Sequence, residues 1–212
     1  MSGTRLPLSF YQSYDTCTLA QKLLGCELVH ESAEGTTSGI IVETEAYLSD
    51  DPACHAYNRR TSRTEPMYQP AGTIYVYLIY GMYQCFNVVS NAADIGEAVL
   101  VRALQPVQGI DLMQQRRREI HGKAGVSLKT KPVSLKELCR GPGKLVKAMG
   151  IDRVLHNSLT LDNGVIYIKP AEIEDLPIVT TTRIGINVGT ELPFRYYICD
   201  NDFVSNPKLK SN

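Results

Sequence analysis

The sequence predicts a protein of mixed α and β structure, of the α+β type, and three observations support this class. Residues 72–89 consist of two runs rich in Val, Ile, Tyr and Phe, separated by a short break at Tyr80-Gly-Met82, which is typical of a β-hairpin. Residues 26–31 and 38–47 are apolar or alternating and predict two further strands. Residues 16–25 carry leucines at helical spacing between a capping residue and a terminal glycine, which predicts a short helix.

The rest of the chain continues this mixture. Further strands are predicted at residues 98–104, 164–169, 178–187 and 194–199, and further helices at residues 108–119, 134–139 and 143–149. Irregular segments are predicted at residues 48–71, where Pro, Gly, Asp and Asn recur, and at the basic stretch 121–133. Ser134 and Glu137 have the spacing of a capping box, and the tail from about residue 205 is expected to fray.

Length and composition restrict the class of protein. The 212 residues are enough for one domain or a compact pair, and 43% hydrophobic with 21% charged residues is usual for a globular protein. The N-terminus lacks the apolar segment of a signal peptide, and no apolar run is long enough to cross a membrane. The six cysteines are scattered, which favours reduced thiols over disulfides or zinc. We therefore expect a cytoplasmic protein without a metal or other cofactor.

Charge is unevenly distributed, although the formal net charge is zero. Residues 99–150 contain eleven Lys and Arg against three acidic residues, whereas residues 151–180 contain two basic and five acidic residues. Most charged stretches are solvated surface, but an excess of this size also fits a surface that faces a polyanion. Within this segment, Arg140-Gly-Pro-Gly143 precedes a helix whose free N–H groups, with Arg140 and Lys144, would suit a phosphate. A simple turn between two helices explains the same residues equally well.

The predicted hairpin places tyrosines on one face. Alternation directs Tyr75 and Tyr77 to one side of the first strand, and Cys85 and Asn87 to one side of the second. Tyr80 falls at the tip, where little core is available. A tyrosine-rich core and a platform for stacking a nucleobase are both consistent with this pattern, and the residues alone favour the core.

Two other stretches carry candidate functional groups. Period two sends Glu43, Glu45 and Tyr47 to the same side of their strand, which is a poor core pattern and predicts a site unless that face is solvated. Arg102 interrupts an apolar strand and would need an acidic partner. His55 follows a cysteine in the long loop, but no further pair with ligand spacing follows, so a satisfied polar histidine is expected rather than a zinc ligand.

Several motifs occur in an order that resembles one family. They are Glu43-Thr-Glu-Ala-Tyr47, Asp51-Pro-Ala-Cys-His-Ala56, residues 63–67, Gly72-Thr-Ile-Tyr-Val-Tyr-Leu-Ile-Tyr-Gly-Met82, Asn87-Val-Val89, Leu100-Val-Arg-Ala-Leu104 and Arg140-Gly-Pro-Gly-Lys-Leu145. Together, over roughly residues 19–205, they resemble the alkyladenine (3-methyladenine) DNA glycosylases. The resemblance implies a single domain with a curved, mainly antiparallel sheet, a protruding β-hairpin and surrounding short helices. It also implies hydrolysis of the N-glycosidic bond of damaged purines in double-stranded DNA, without metal and without strand cleavage. Because such an enzyme needs no partner subunit on DNA, we expect a monomer.

The resemblance also implies roles for individual residues. Glu45 would activate the water, with Arg102 positioning that water or the nearby phosphate. The flipped base would be held by Tyr47, His55 and Tyr77, and Asn87 would disfavour normal guanine. Tyr80 would fill the vacated place in the duplex. The other expected DNA contacts are Met82, which also lies at the hairpin tip, and Arg140 and Lys144.

Some questions stay open at this level. Arg60, Thr64 and Gln105 depart from the residues usual in the family, and the chain has no tryptophan. The sequence does not rank 3-methyladenine, 7-methylguanine, hypoxanthine and ethenoadenine as substrates, and Glu43 is expected to be a structural partner of an arginine. Two alternatives are a module that binds lesions without cutting and an unrelated sugar hydrolase that uses Glu43 with Glu45. A glycosylase would be found at the nucleoid of a bacterium or in the nucleus of a eukaryote.

Overall fold

The computed structural model describes residues 4–79, 81–122, 125–128, 131–173 and 175–205. The helices in this part of the chain are α1 (Leu8–Gln12), α2 (Thr16–Lys22), α3 (Ile110–Arg118), α4 (Leu135–Leu138), α5 (Pro142–Met149) and α6 (Arg153–His156), with a 3₁₀ helix at Glu65–Tyr68. The strands are β1 (Glu27–Ser32), β2 (Gly35–Tyr47), β3 (Ile74–Ile79), β4 (Tyr83–Val89), β5 (Ala98–Gln108), β6 (Glu119–Gly122), β7 (Gly125–Leu128), β8 (Ile166–Lys169), β9 (Ile178–Thr181) and β10 (Arg195–Ile198).

Eight of these strands form one curved sheet around β2. Its order is β3-β4-β5-β2-β1-β8, and β10 joins β2 with β9 outside it. β2 is long enough to pair with β5 along one side, while its other side pairs first with β1 and then with β10. Its register with β5 shifts on both sides of Glu43, and such bulges bend a strand. All strand pairs among the described residues are antiparallel.

The main core lies on one face of this sheet. Helix α2 is capped by Asp15, whose carboxylate accepts a hydrogen bond from Thr18 N at 2.9 Å. Leu19 of the helix and Leu23 directly after it are buried in the main core. Helices α3 and α5 pack on the same core through Met113 and Leu145. Burying such side chains is worth about 1.5–3 kcal/mol each, so the short helices are held by packing rather than by their own propensity.

The hairpin β3–β4 projects from the edge of the sheet. β4 pairs with β5 only through Asn87–Val89, so the outer part of the hairpin has no neighbouring strand in the sheet. Ile74, Val76 and Phe86 point into the main core, whereas Tyr75 belongs to a smaller apolar cluster on the other face. The alternation predicted for the hairpin is therefore confirmed, as is an α+β fold with a curved antiparallel sheet.

Four local predictions are wrong. β2 begins at Gly35 rather than at residue 38, and the segment predicted as a basic loop contains the hairpin β6–β7. The strand predicted over residues 178–187 ends at Thr181. The capping box does not form, because Ser134 makes no capping hydrogen bond. Instead the Glu137 carboxylate accepts from two cationic side chains.

Candidate active site

A pocket of about 270 Å³ opens on the face of the sheet opposite the main core. The hairpin and β5 form its floor, the loop after β2 forms one wall, and residues 184–186 close the other. Its wall consists of Tyr47, Ala53, His55, Met67, Tyr75, Tyr77, Ile79, Cys85, Asn87, Ala98, Leu100, Arg102, Pro142, Ile184, Gly185 and Ile186. The pocket is thus mainly apolar and aromatic, with a few polar groups, as small-molecule sites usually are.

Three rings form one side of the pocket. The His55 ring lies edge-on to Tyr77, with centroids 4.5 Å apart, and Tyr75 and Tyr77 are 5.5 Å apart at an interplanar angle of 32°. His55 Nδ1 and the Tyr75 hydroxyl are hydrogen-bonded at 3.1 Å, which fixes the imidazole. Burial, and then the charge of Arg63, lower the pKa of His55 to about 4, so the ring is neutral at physiological pH.

Tyr47 ends β2 and connects the aromatic wall to a buried carboxylate. Its hydroxyl donates to Glu45 Oε2 at 2.8 Å, and the Arg183 guanidinium lies 4.7 Å from its ring centroid. Arg183 is itself held by the Asp51 carboxylate and by Ala46 O. Burial, and then the Glu45 charge, raise the pKa of Tyr47, so the phenol stays protonated and can donate.

Glu45 lies directly behind the pocket wall and has no exposed surface. Its Oε1 accepts from Ile184 N at 2.8 Å, and its Oε2 accepts from Tyr47 and from Arg102 Nη1, the latter at 3.2 Å. Burial alone would lower the pKa of Arg102, but the charges of Glu45 and Glu43 outweigh it and raise that pKa. The carboxylate is therefore held by three donors, which supports its charge in a buried position.

Glu43 occupies a separate place in the same cluster. Its Oε1 accepts from Arg102 Nε at 3.1 Å and Arg195 Nε at 2.7 Å, and its Oε2 accepts from Ser205 N at 2.7 Å. Arg195 Nη2 also donates to Ser205 O. Glu43 lines no wall of the pocket, and both of its oxygens are engaged. The expectation that Glu43 pairs with an arginine is confirmed, and a two-carboxylate sugar site does not fit this arrangement.

Asn87 is fixed at the pocket floor. It is buried, and its Nδ2 donates to Tyr75 O at 3.0 Å across the hairpin. This bond orients the side-chain amide, which lines the pocket together with Tyr77 and Cys85. A rigid amide at this position can discriminate between bases by shape and by hydrogen bonding.

The predicted DNA-contacting residues that the structure describes, Met82, Arg140 and Lys144, do not line the pocket. Met82 is 71% exposed at the hairpin turn, where Gly81 adopts a positive φ, while Tyr80 lies outside the described residues. Arg140 Nη1 and Lys144 Nζ both reach the Glu137 carboxylate, at 3.2 and 2.5 Å. These two cations thus share one anion beside Pro142, which lines the pocket.

Not all of the basic segment faces outwards. Arg116 is buried, and its guanidinium donates to Glu34, Ser32 and Ala148 O. The interpretation that the basic residues of the segment 99–150 face a polyanion is therefore wrong for Arg116. Its charge compensates Glu34 and ties α3 to the sheet and to α5.

Sequence reasoning missed several residues of the pocket. The sequence places Tyr75 on the same strand face as Tyr77 but gives it no role in the site. In the structure its hydroxyl is hydrogen-bonded to His55. The shared strand face with Tyr77 was the feature of the sequence that could have identified it. No pattern in the sequence identifies residues 184–186 as part of the pocket, apart from the glycine at 185. In the structure this glycine adopts a φ of 79°, which allows the chain to turn over Glu45. Met67 reaches the pocket from the 3₁₀ helix of the long loop.

The residues that depart from the resemblance have structural partners. Arg60 pairs with Glu65 and Asp94, each at 2.6 Å, and lies over the Tyr68 ring. Thr64 is buried and hydrogen-bonds within the loop to Thr61. The Gln105 side-chain oxygen accepts from Asn201 Nδ2 at 3.2 Å. None of these residues lines the pocket.

The described ranges contain neither a metal cluster nor a membrane-spanning helix. No group of three or more His, Cys, Asp or Glu side chains there is arranged to hold a metal ion. Among the helices of the same residues, none has the length and apolar character needed to span a membrane. All six cysteines are free.

Comparisons with known proteins agree with the geometry. The family model described as methylpurine-DNA glycosylase matches residues 9–202. A protein of Methanoculleus marisnigri is 47% identical over 204 residues, which cover 94% of this chain and 98% of that protein. One from Carboxydothermus hydrogenoformans is 45% identical over 201 residues, with the same two shares. Both are named "Putative 3-methyladenine DNA glycosylase". The chain belongs to the methylpurine-DNA glycosylase family.

Proposed function

We propose that the protein releases 3-methyladenine, 7-methylguanine, hypoxanthine and ethenoadenine from double-stranded DNA by hydrolysing the N-glycosidic bond. The observation that carries this proposal is the Glu45 carboxylate, held by Arg102, Tyr47 and Ile184 N at the back of an aromatic pocket. A base within a duplex is not accessible to such a pocket, so the damaged nucleotide must rotate out of the stack first.

The pocket wall suits a flat, electron-poor ring. Tyr47, His55 and Tyr77 supply the surfaces, and stacking contributes about 1–3 kcal/mol per base. Alkylation gives a purine positive charge, which strengthens its attraction to tyrosine faces. The neutral His55 adds no opposing charge. Asn87, fixed by its bond to Tyr75 O, stands where it selects among purines by their edge substituents.

Bond cleavage leaves positive charge on the sugar, and Glu45 is the group that meets it. A carboxylate stabilises this oxocarbenium character and accepts a proton from the attacking water. One carboxylate is sufficient when the leaving purine is already cationic. For hypoxanthine and ethenoadenine, which are neutral, the leaving base must gain a proton or hydrogen bonds in the pocket.

The products are a free base and an intact abasic strand. Strand cleavage by glycosylases requires an amine that forms a Schiff base with the sugar. The described pocket wall contains no lysine. We infer a monofunctional hydrolase that acts as a monomer, with no cofactor taking part in the reaction.

The experiment that tests this function uses duplexes that each carry one defined lesion. Single-turnover release of free base should occur for the alkylated, deaminated and etheno purines, and the strand should break only after alkaline treatment. Binding to these duplexes without release of base would favour a recognition module instead. Strand breaks without alkali would overturn the monofunctional assignment.

A further inference from the structure

A second groove lies beside the base pocket. It has a volume of about 590 Å³ and runs between the loop after β2 and residues 186–188. The two cavities share Ala53, His55 and Ile186, so they adjoin along one edge. A nucleotide that places its base in the pocket must keep its backbone at the pocket entrance, and this groove continues from that entrance.

The charged side chains that line the groove are all positive. Arg59 and Arg63 line it, and no acidic residue does. Both arginines are exposed, and within the described part of the chain neither forms an ion pair. Arg60, between them in sequence, points elsewhere and is bound to Glu65 and Asp94. One arginine of this loop thus holds the loop together, while the other two remain available to an anion.

Arg63 also links the groove to the pocket. Its guanidinium lies 5.6 Å from the Tyr77 ring centroid, and its charge acts on His55 and on the Tyr75 hydroxyl. Because His55 is neutral, the positive charge at the shared edge comes from Arg63. Thr61 and Asn187 add neutral hydrogen-bonding groups to the same groove. Unpaired guanidinium groups with neutral polar neighbours are well suited to phosphate.

The other basic groups near the pocket are less available. Arg140 and Lys144 share the Glu137 carboxylate, and binding a phosphate there would compete with that pair. Arg116 is buried on α3. Among the described residues, Arg59 and Arg63 of the long loop are thus cations that adjoin the pocket and have no ion pair with a protein carboxylate.

We propose that Arg59 and Arg63 form a phosphodiester-binding groove that holds the backbone of the strand carrying the flipped nucleotide. The proposal rests on the proposed function, because it assumes that the adjoining pocket takes the base. It assigns to the loop the task of positioning the sugar of the damaged nucleotide relative to Glu45.

The first test is the salt dependence of binding to undamaged and lesion duplexes. Arg59→Gln and Arg63→Gln should each reduce the slope of log affinity against log salt by about one, and the double variant by about two. Lys22→Gln is the matched control, because this substitution also removes one positive charge. Lys22 is exposed on α2, which packs on the main-core face of the sheet. The control should keep the slope of the wild-type protein. Unchanged melting temperatures would show that the variants fold.

The second test identifies the phosphate. Each phosphate flanking the lesion is replaced in turn by a neutral methylphosphonate. At the phosphate that Arg63 contacts, the replacement should weaken binding by the wild-type protein but have little further effect on Arg63→Gln. A wild-type slope for the double variant, or full additivity at every phosphate, would overturn the proposal. Because binding is measured without base release, failure of the glycosylase assay alone would overturn the proposed function and not this groove.

Discussion

The Tyr47 hydroxyl donates a hydrogen bond to the Glu45 carboxylate at 2.8 Å, although both residues lie on one strand and are separated by a single residue. The same tyrosine ring lines the base pocket. One side chain thus contacts both the aromatic pocket and the carboxylate that we propose acts on the sugar.

Tyr47→Phe separates these two contributions. The ring remains as a surface for the base, while the carboxylate loses one of its three donors. A hydrogen bond to a charged group is worth about 1.5–3 kcal/mol, so single-turnover excision should slow by roughly 10- to 150-fold with little change in lesion affinity. Equal losses in rate and affinity would instead show that the hydroxyl contacts the base.

Glu45→Gln should abolish base release while lesion binding persists. Glutamine keeps the shape of the side chain but accepts a proton poorly, and loss of a general base costs about 10²–10⁴-fold. Its NH₂ group must also face one of the donors that now surround the carboxylate, so some stability is lost. Base release and duplex binding are measured on the same preparation. Near-normal turnover would remove Glu45 from the mechanism.

Glu43→Gln should act mainly on stability. Glu43 compensates both Arg102 and Arg195 in a buried cluster, and removing one partner of such a cluster costs about 3–5 kcal/mol. Chemical denaturation should therefore show a large loss, while the excision rate per folded molecule falls less than in Glu45→Gln. A variant of normal stability with no activity would contradict the structural role.

The hairpin tip can be tested without disturbing the core. Met82 is exposed, so Met82→Ser should change stability by less than about 0.5 kcal/mol, and we expect the same for Tyr80→Ser. If the tip fills the vacated stack, excision from duplex DNA should slow while excision from single strands does not. A loss of several degrees in melting temperature for Tyr80→Ser with normal duplex excision would assign Tyr80 to packing.

Stability should depend on pH in the range of histidine titration. The pKa of His55 is lowered to about 4 from an ordinary value of 6.5, mainly by burial, so the unfolded chain binds more protons between these values. The free energy of unfolding should therefore fall as the pH drops from about 6.5 towards 5. Burial likewise lowers the pKa of His30 and His156, which adds to the same trend.

His55→Asn should make this curve flatter. The measurement is chemical denaturation at pH 7, 6 and 5, above the range in which most carboxylates titrate. A wild-type curve that is flat over this interval would contradict the lowered pKa of His55.

The hairpin was predictable because its side-chain arrangement follows from a pattern within one short segment. Alternation alone sends Tyr75 and Tyr77 to one face and Val76 to the other, and both strands obey it. The helix at Thr16–Lys22 was predictable for the same reason, since its cap and its apolar stripe lie within one short segment.

The site needed contacts that no local pattern contains. The two-residue period of a strand places Glu43 and Glu45 on the same face, but it does not indicate which of them has which role. Their surroundings differ because Arg195 and Ser205 bind Glu43, while Ile184 binds Glu45. These partners lie more than 130 residues away in sequence, and the bulge at Glu43 that admits them is a property of the sheet. Only the resemblance identified Glu45 beforehand.

The hydrogen bond from Ser205 N to Glu43 has a consequence for synthesis of the chain. Glu43 precedes Arg195 by 152 residues and Ser205 by 162, so the charge cluster is complete only after both have left the ribosome. Until then, of the cations that pair with Glu43 and Glu45 among the described residues, Arg102 alone is available. Because domains fold as units during translation, we expect the cluster to be completed when β10 pairs with β2.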